Sequence, residues 1–201
     1  MKPTCFFADA LPDGFNTDFR VWIRYEVMSN AATTPEEQAA VARYAEEVLV
    51  GRKIRDDDLP AFLNFYRCGE NTIQTEEKTR QVFGSKARSY DFAVDGQLIY
   101  AAFWQAYGID LNNVDLHWWE FMALFRGLPD ECRICKIMEY RTADTSDMPK
   151  ETKAQYDKLR RVYALPETAG GETRRYASFA ERKAAAIARH NALDHKPRNG
   201  Q

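Results

Sequence analysis

The stretch 90–141 constrains the fold most, because its apolar residues recur at helical spacing between clear stop signals. Gly108 stands where the end of a helix favours a residue that tolerates positive φ, and the string Gly127-Leu128-Pro129 marks a second helix end. These signals predict three consecutive helices, the first over about 91–107 and the second over about 115–126. The third is expected to begin at the proline of that string or at the residue after it.

The middle helix of this stretch is apolar on nearly every side. Its polar strip is narrow and consists of His117, Glu120 and Arg126. A helix of this kind must be covered by other elements on nearly every side, so we place it at the centre of the domain. We assign four aromatic residues to the core, Phe103, Trp118, Trp119 and Phe125.

Capping signals predict further helices on both sides of this stretch. A cap at Thr17 or Asp18 opens a helix to about Met28, and a capping box that begins at Thr34 opens one that runs to Val50. A short helix follows three consecutive aspartates, and another precedes the C-terminal tail. No segment shows sustained alternation of the strand type. We therefore predict an all-α fold, a single compact helical domain of about seven or eight helices with a basic C-terminal helical extension.

The chain divides into three parts. We expect residues 1–16 to form an irregular N-terminal arm and residues 17–166 to form the helical core domain, with a mobile loop at about 70–89 where no apolar period is present. Residues 167–201 are expected to form a basic tail, helical or disordered. Charge follows a similar division, since residues 1–149 carry 16 basic and 24 acidic side chains whereas the remainder carries 12 and 6.

Composition excludes several classes of protein. No run approaches the roughly 18 apolar residues that a membrane span needs, and the N-terminus lacks a basic segment followed by a long apolar one, so we expect neither a membrane partner nor export. Four cysteines in 201 residues are too few and too unevenly placed for a disulfide scaffold, which indicates a reducing compartment. These are Cys5, Cys68, Cys132 and Cys135.

The strongest candidate for chemistry consists of four residues, His117, Glu120, Cys132 and Cys135. The pattern superficially resembles the His-x-Glu and Pro-Cys-x-x-Cys of zinc deaminases, but here two tryptophans separate histidine from glutamate and the proline does not directly precede a cysteine. A small metal-dependent enzyme that uses His117, Cys132 and Cys135 stays open as an alternative function. We favour two packed cysteines and a histidine that bridges helix ends, and we assign no catalytic, cofactor-binding or metal-binding residue.

Nucleic-acid binding by the basic tail is a further alternative. Its lysines and arginines are interspersed with acidic residues, and aromatic residues for base stacking are sparse. We therefore favour a solvated helical face, or a face that docks on an acidic partner, over a nucleic-acid site.

Nine short strings carry a family resemblance, and they occur in order over roughly residues 13–166. They are Asn16-Thr17-Asp18-Phe19-Arg20, Phe65-Tyr66-Arg67-Cys68-Gly69, Tyr90-Asp91-Phe92, Ile99-Tyr100-Ala101-Ala102-Phe103, Tyr107-Gly108-Ile109-Asp110-Leu111, Leu116-His117-Trp118-Trp119, Leu124-Phe125-Arg126-Gly127-Leu128-Pro129, Tyr140-Arg141-Thr142 and Tyr163-Ala164-Leu165-Pro166. Together they resemble the "gene product fifteen" proteins of long-tailed bacteriophages. The His-Trp-Trp and Gly-Leu-Pro strings are the most specific among them.

The resemblance implies a protein that is encoded near the tape measure gene and acts, without catalysis, as a tail assembly chaperone. The implied partner is the phage tape measure protein, and the tail tube protein and further copies of the chain are secondary expectations. The implied location is the host cell cytoplasm, with the protein absent from the mature virion; a structural place in the tail stays open. The family is not defined by a catalytic motif, so no active-site residue is carried over.

Amphipathic spacing suggests where a partner binds. One stripe, near the N-terminus, consists of Phe19, Trp22 and Ile23. The other follows residue 155 and consists of Tyr156, Leu159 and Tyr163. We predict that the partner contacts one of these two stripes, because apolar faces at helical spacing are the surfaces that amphipathic helices use.

Overall fold

The computed structural model describes residues 14–69 and 88–166, and within these ranges the protein is all-α. Residues 1–13 of the predicted N-terminal arm, nearly all of the predicted loop at 70–89 and the basic tail therefore lie outside the described residues. Seven α-helices occupy the described ranges, in agreement with the prediction. They are α1 (Phe19–Ala31), α2 (Pro35–Tyr44), α3 (Leu59–Tyr66), α4 (Phe92–Tyr107), α5 (Trp118–Arg126), α6 (Arg133–Thr142) and α7 (Lys150–Val162).

The first two helices begin at the predicted caps. Asp18 caps α1 by accepting a hydrogen bond from the backbone N–H of Arg20 at 2.8 Å. The capping box of α2 is complete, since the Thr34 hydroxyl accepts from Glu37 N at 3.2 Å and the Glu37 carboxylate accepts from Thr34 N at 2.9 Å. The helix then continues as a π-helical segment, Ala45–Val50, so its predicted end at Val50 is confirmed.

Two helices in the central stretch begin later than predicted. The second was expected from about residue 115, but α5 begins at Trp118 because the preceding backbone pairs with the start of α1. Trp118 N donates to Thr17 O at 2.7 Å and Phe19 N donates to Leu116 O at 3.2 Å. The third was expected to begin at Pro129 or the next residue, but these positions form a turn and α6 begins at Arg133.

Helix α5 lies at the centre of the core, as its apolar surface predicts. Phe121 is fully buried, and its ring packs against Phe19 at 4.8 Å and Phe103 at 5.1 Å between centroids. The four aromatic residues assigned to the core from the sequence are all buried. Both tryptophan indoles of α5 also donate hydrogen bonds to carbonyl oxygens of α3, Trp118 to Tyr66 at 2.9 Å and Trp119 to Phe65 at 2.7 Å. The centre of the molecule thus combines aromatic packing with satisfied indole N–H groups.

None of the helices in residues 14–69 and 88–166 combines the length and apolar character that crossing a membrane requires.

Candidate partner-binding surface

The first predicted contact stripe lies mostly inside the protein. Phe19 and Trp22 are 2% and 0% exposed, and the indole N–H of Trp22 donates to Asn16 O at 2.6 Å. Their spacing reflects the packing of α1 on the core, which is the commonest use of an amphipathic stripe. These two side chains therefore offer no surface to a partner in this fold. Ile23 differs, since it is half-buried and lines an open groove.

The second predicted stripe attaches α7 to α6. Tyr140 of α6 packs against Tyr156 at 5.6 Å and against Tyr163 at 6.1 Å between ring centroids. The Tyr156 hydroxyl also donates to the Glu139 carboxylate at 2.6 Å. Leu159 is half-buried, and every residue of α7 is exposed or half-buried. The aromatic residues of this stripe thus already have partners within the chain.

The histidine and cysteine candidates have structural roles at helix ends. His117 is the N-cap of α5, where its Nδ1 accepts from Trp119 N at 3.1 Å and its own backbone N–H donates to Glu120 at 3.1 Å. Burial lowers the pKa of His117. Cys132 is the buried N-cap of α6, and Cys135 is half-buried with its thiol 3.9 Å from Leu128 O. In the part of the chain that the structure describes, no three His, Cys, Asp or Glu side chains are grouped as a metal site requires.

A buried ion pair fastens several elements together. The guanidinium of Arg141 donates to both carboxylate oxygens of Asp95, at 2.7 and 3.0 Å, and the two side chains are 6% and 2% exposed. Arg141 also donates to Ser89 O at 2.9 Å and to Tyr163 O at 2.7 Å. The pair therefore joins α4 and α6 to the segment before α4 and to the end of α7. Its signal in the sequence is a single charged residue, Asp95, within an otherwise uncharged helix.

A second acidic side chain, that of Glu26, has a pKa close to neutral pH. Glu26 of α1 accepts a hydrogen bond from the Tyr66 hydroxyl at 3.0 Å. Burial raises the pKa of Glu26 to about 7, and the negative charge of Asp91 adds to the increase, whereas the hydrogen bond and the charge of Arg88 oppose it. Both raising influences disfavour the ionised carboxylate.

Stability is therefore expected to fall as the pH rises from about 5 to about 8. The folded protein holds the Glu26 proton more tightly than the unfolded chain, so the favourable contribution is complete below the ordinary pKa of 4.5 and is lost as the pH passes about 7. The loss is at most about 3 kcal/mol. Denaturant titrations over this pH range measure it, and Glu26→Gln should flatten the profile. An equally steep profile in the variant would assign the effect to another group.

An open groove lies between α1 and α4. It has a volume of about 260 Å³, with walls formed by Ile23, Gly96, Tyr100 and Leu111. Arg20 fixes its rim, because the guanidinium donates to Leu111 O at 3.1 Å and to Val114 O at 2.6 Å. We call this the α1–α4 groove. The buried rings at its base are Phe19, Phe92 and Phe121.

Next to the groove, α4 presents a solvent-facing surface that carries no charge. We call it the α4 outer face, and it consists of Ala93, Val94, Gln97, Ala101, Trp104 and Gln105. Val94 and Trp104 are 51% and 55% exposed, although both are large and apolar. By contrast, α6 exposes Arg133, Lys136 and Glu139. The α4 outer face therefore differs from that of α6 in carrying no charge.

Sequence reasoning missed the α4 outer face because it used the apolar residues of this helix to predict the helix and assigned only Phe103 to the core, without asking which of the others are exposed. The signal was present in the charge pattern, since α4 spans 16 residues and its one charged side chain, Asp95, is buried. A surface helix of this length ordinarily carries charged residues on its solvent side.

Comparison with known proteins places the chain in a family. A family model described as "Bacteriophage Gp15 protein" matches residues 13–165. Searches of curated proteins and of solved structures found no match. The matched range begins just before α1, ends after α7 and includes the whole of the described core. It also agrees with the range over which the quoted strings resemble the family. The chain therefore belongs to the bacteriophage Gp15 protein family.

Proposed function

We propose that this protein is a non-catalytic tail assembly chaperone that binds the phage tape measure protein while the tail is built. The family match over residues 13–165 carries the proposal, because this role is the one that the family resemblance implies. A phage protein made to hold a long helical partner needs an apolar surface that accepts a helix and enough charge elsewhere to stay in solution.

The α1–α4 groove offers an apolar surface of the kind that the first requirement calls for. Its base is aromatic, and its walls combine the aliphatic side chains of Ile23 and Leu111 with the ring of Tyr100. An amphipathic helix laid along such a groove inserts apolar side chains at positions i, i+3 or i+4 and i+7. Of the residues predicted from the sequence for partner contact, the groove includes two, Phe19 at its buried base and Ile23 on its wall.

Gly96 supports this assignment. A glycine inside a helix costs about 1 kcal/mol relative to alanine, so its presence there calls for a reason. Packing within the described residues supplies none, since a Cβ at Gly96 would meet no atom of theirs within 4 Å. Because Gly96 lines the groove, a side chain at this position would occupy the space proposed for the partner.

Gly96→Leu is expected to weaken capture of the tape measure protein by about tenfold or more, because the new side chain fills the groove. Gly96→Ala is the matched control, which should retain capture and raise the free energy of unfolding by up to about 1 kcal/mol. The measurement is co-purification of the tape measure protein with each tagged variant, together with denaturant unfolding of each. Equal capture by the wild type and Gly96→Leu would contradict the proposal that the α1–α4 groove binds the tape measure protein.

A further inference from the structure

The last residue that the structure describes lies close to one end of the α1–α4 groove. Pro166 O accepts a hydrogen bond from the Arg88 guanidinium at 3.3 Å, and Arg88 also donates to Asp91 at 2.7 Å. Asp91 is the N-cap of α4, and the next residue, Phe92, lines the groove. The chain after residue 166 therefore leaves the core domain beside the groove.

The sequence after residue 166 is long enough to reach the whole groove. Nine residues, 167–175, precede Tyr176, which is the first aromatic residue of the tail. Nine extended residues span up to about 30 Å. The groove follows α4 from Phe92 to Tyr100, a length of about 12 Å at a rise of 1.5 Å per residue. A segment joined through so short a linker has an effective concentration on the order of millimolar at the groove, so weak contacts are enough for binding.

Residues 176–187 have the sequence pattern of an amphipathic helix. The segment is rich in alanine, which favours a helix. At helical spacing, Tyr176, Phe179 and Ile187 share one side of it. Phe179 and Ile187 are eight residues apart, as are the two groove residues of α4 at its ends, so both pairs span about 12 Å. The large apolar side chains of the segment thus match the length of the groove.

Charge favours the same pairing. Residues 167–201 carry 7 basic and 4 acidic side chains, whereas residues 1–166 carry 21 and 26. Beside the groove, Asp110 accepts a hydrogen bond from the hydroxyl of Tyr100 at 3.2 Å, and hydrogen bonds from Asn113 and Asn112 lower the pKa of Asp110. This carboxylate is therefore ionised at neutral pH and attracts a basic segment. The α4 outer face, next to the groove, carries no charge that would repel one.

We infer that residues 176–187 bind in the α1–α4 groove of the same chain, with Phe179 and Ile187 against its aromatic base. The occupant of the groove is thus the C-terminal segment of the chain itself. The position of Pro166, the match in length and the opposite charges carry the inference.

Docking of the tail regulates the site of the proposed function, and this consequence alone rests on that function. A groove that holds the tail does not offer its apolar surface to other proteins, which limits non-specific association. The tape measure protein then binds by competing with residues 176–187 for the same groove. A tail that no longer docks should therefore increase capture of the tape measure protein.

Limited trypsin digestion of the full chain tests the docking without any tape measure protein. Trypsin cleaves after Arg182 and Lys183, both within the docked segment, and mass spectrometry follows the cleavage at these two bonds. Phe179→Asp and Gly96→Leu are each expected to raise the initial rate of this cleavage roughly tenfold, because each increases the undocked population that the protease attacks. Far-ultraviolet circular dichroism checks that both variants stay folded.

Each variant has a matched control. Ser178→Asp makes the same charge change one residue away, at a position that helical spacing places on the polar side of the segment, and it should leave the rate unchanged. Gly96→Ala adds only a methyl group and should do the same. Equal rates in the wild type and Gly96→Leu, or an equal increase in Ser178→Asp and Phe179→Asp, would overturn the inference.

A second measurement locates the docked segment and identifies the copy that it occupies. The methyl resonances of Ile23 and Leu111 on the groove walls should shift in Phe179→Asp but not in Ser178→Asp. Methyl resonances that do not respond to Phe179→Asp would contradict docking at this site. Docking within one chain also predicts a cleavage rate that is independent of protein concentration. A rate that falls as the concentration rises would place the tail in the groove of another copy and overturn docking in the same chain.

Discussion

Asp95→Ala is expected to lower the free energy of unfolding by about 3–5 kcal/mol, one of the two largest effects that we predict for a single substitution. The Arg141 guanidinium is buried and donates to both oxygens of this carboxylate. Without the carboxylate, the positive charge stays in a low-dielectric site with no counter-charge at contact distance. The pair also joins four segments of the core domain, so its loss should destabilise the whole domain. Denaturant unfolding followed by circular dichroism measures the effect.

The matched control is an ion pair at the surface. Arg160 and Asp157 of α7 approach to 3.5 Å with both side chains more than one-third exposed. Asp157→Ala is therefore expected to change the free energy of unfolding by no more than about 0.5 kcal/mol. If Asp95→Ala cost no more than Asp157→Ala, the buried pair could not have the structural role described above.

Trp22→Ala is expected to cost about 3–5 kcal/mol, because it removes the largest fully buried side chain of α1. The ring lies 4.9 Å from Phe65 and 6.3 Å from Trp118 between centroids, so its removal opens a cavity between three helices. It also leaves Asn16 O without the indole N–H that donates to it at 2.6 Å. The loss should appear in the same denaturant experiment.

Val162→Ala is the control for Trp22→Ala, since it also removes apolar atoms from a helix but at an exposed position. Its effect on the free energy of unfolding should be within about 0.5 kcal/mol. Trp22→Ala also tests whether Trp22, in the first predicted contact stripe, touches the partner directly. A direct contact through Trp22 would lower tape measure binding and leave stability intact, a result that would contradict its assignment to the core.

Local signals in the sequence predicted much of the fold. The capping box at Thr34 and the stop at Gly108 depend on residues within one or two helical turns, and both appear as expected. The central position of α5 was predictable because a helix with almost no polar side must be covered by other elements on nearly every side. These features are predictable because their energetics do not depend on distant parts of the chain.

Features that depend on distant residues were not predictable in this way. The late start of α5 results from pairing with residues 17–19, and the partner of Asp95 lies 46 residues away at Arg141. Periodicity identifies the apolar stripe of α1 but does not say whether the protein or a partner covers it. The structure shows that Phe19 and Trp22 are covered by the protein itself.

Co-expression of this chain with the tape measure protein of the same phage tests the proposed function most directly. We expect the tape measure protein to be insoluble when expressed alone and soluble when co-expressed. The two proteins should then co-purify and elute together in size-exclusion chromatography with light scattering. A tape measure protein that stays insoluble beside well-folded, abundant copies of this chain, with no complex in the soluble fraction, would contradict the chaperone role.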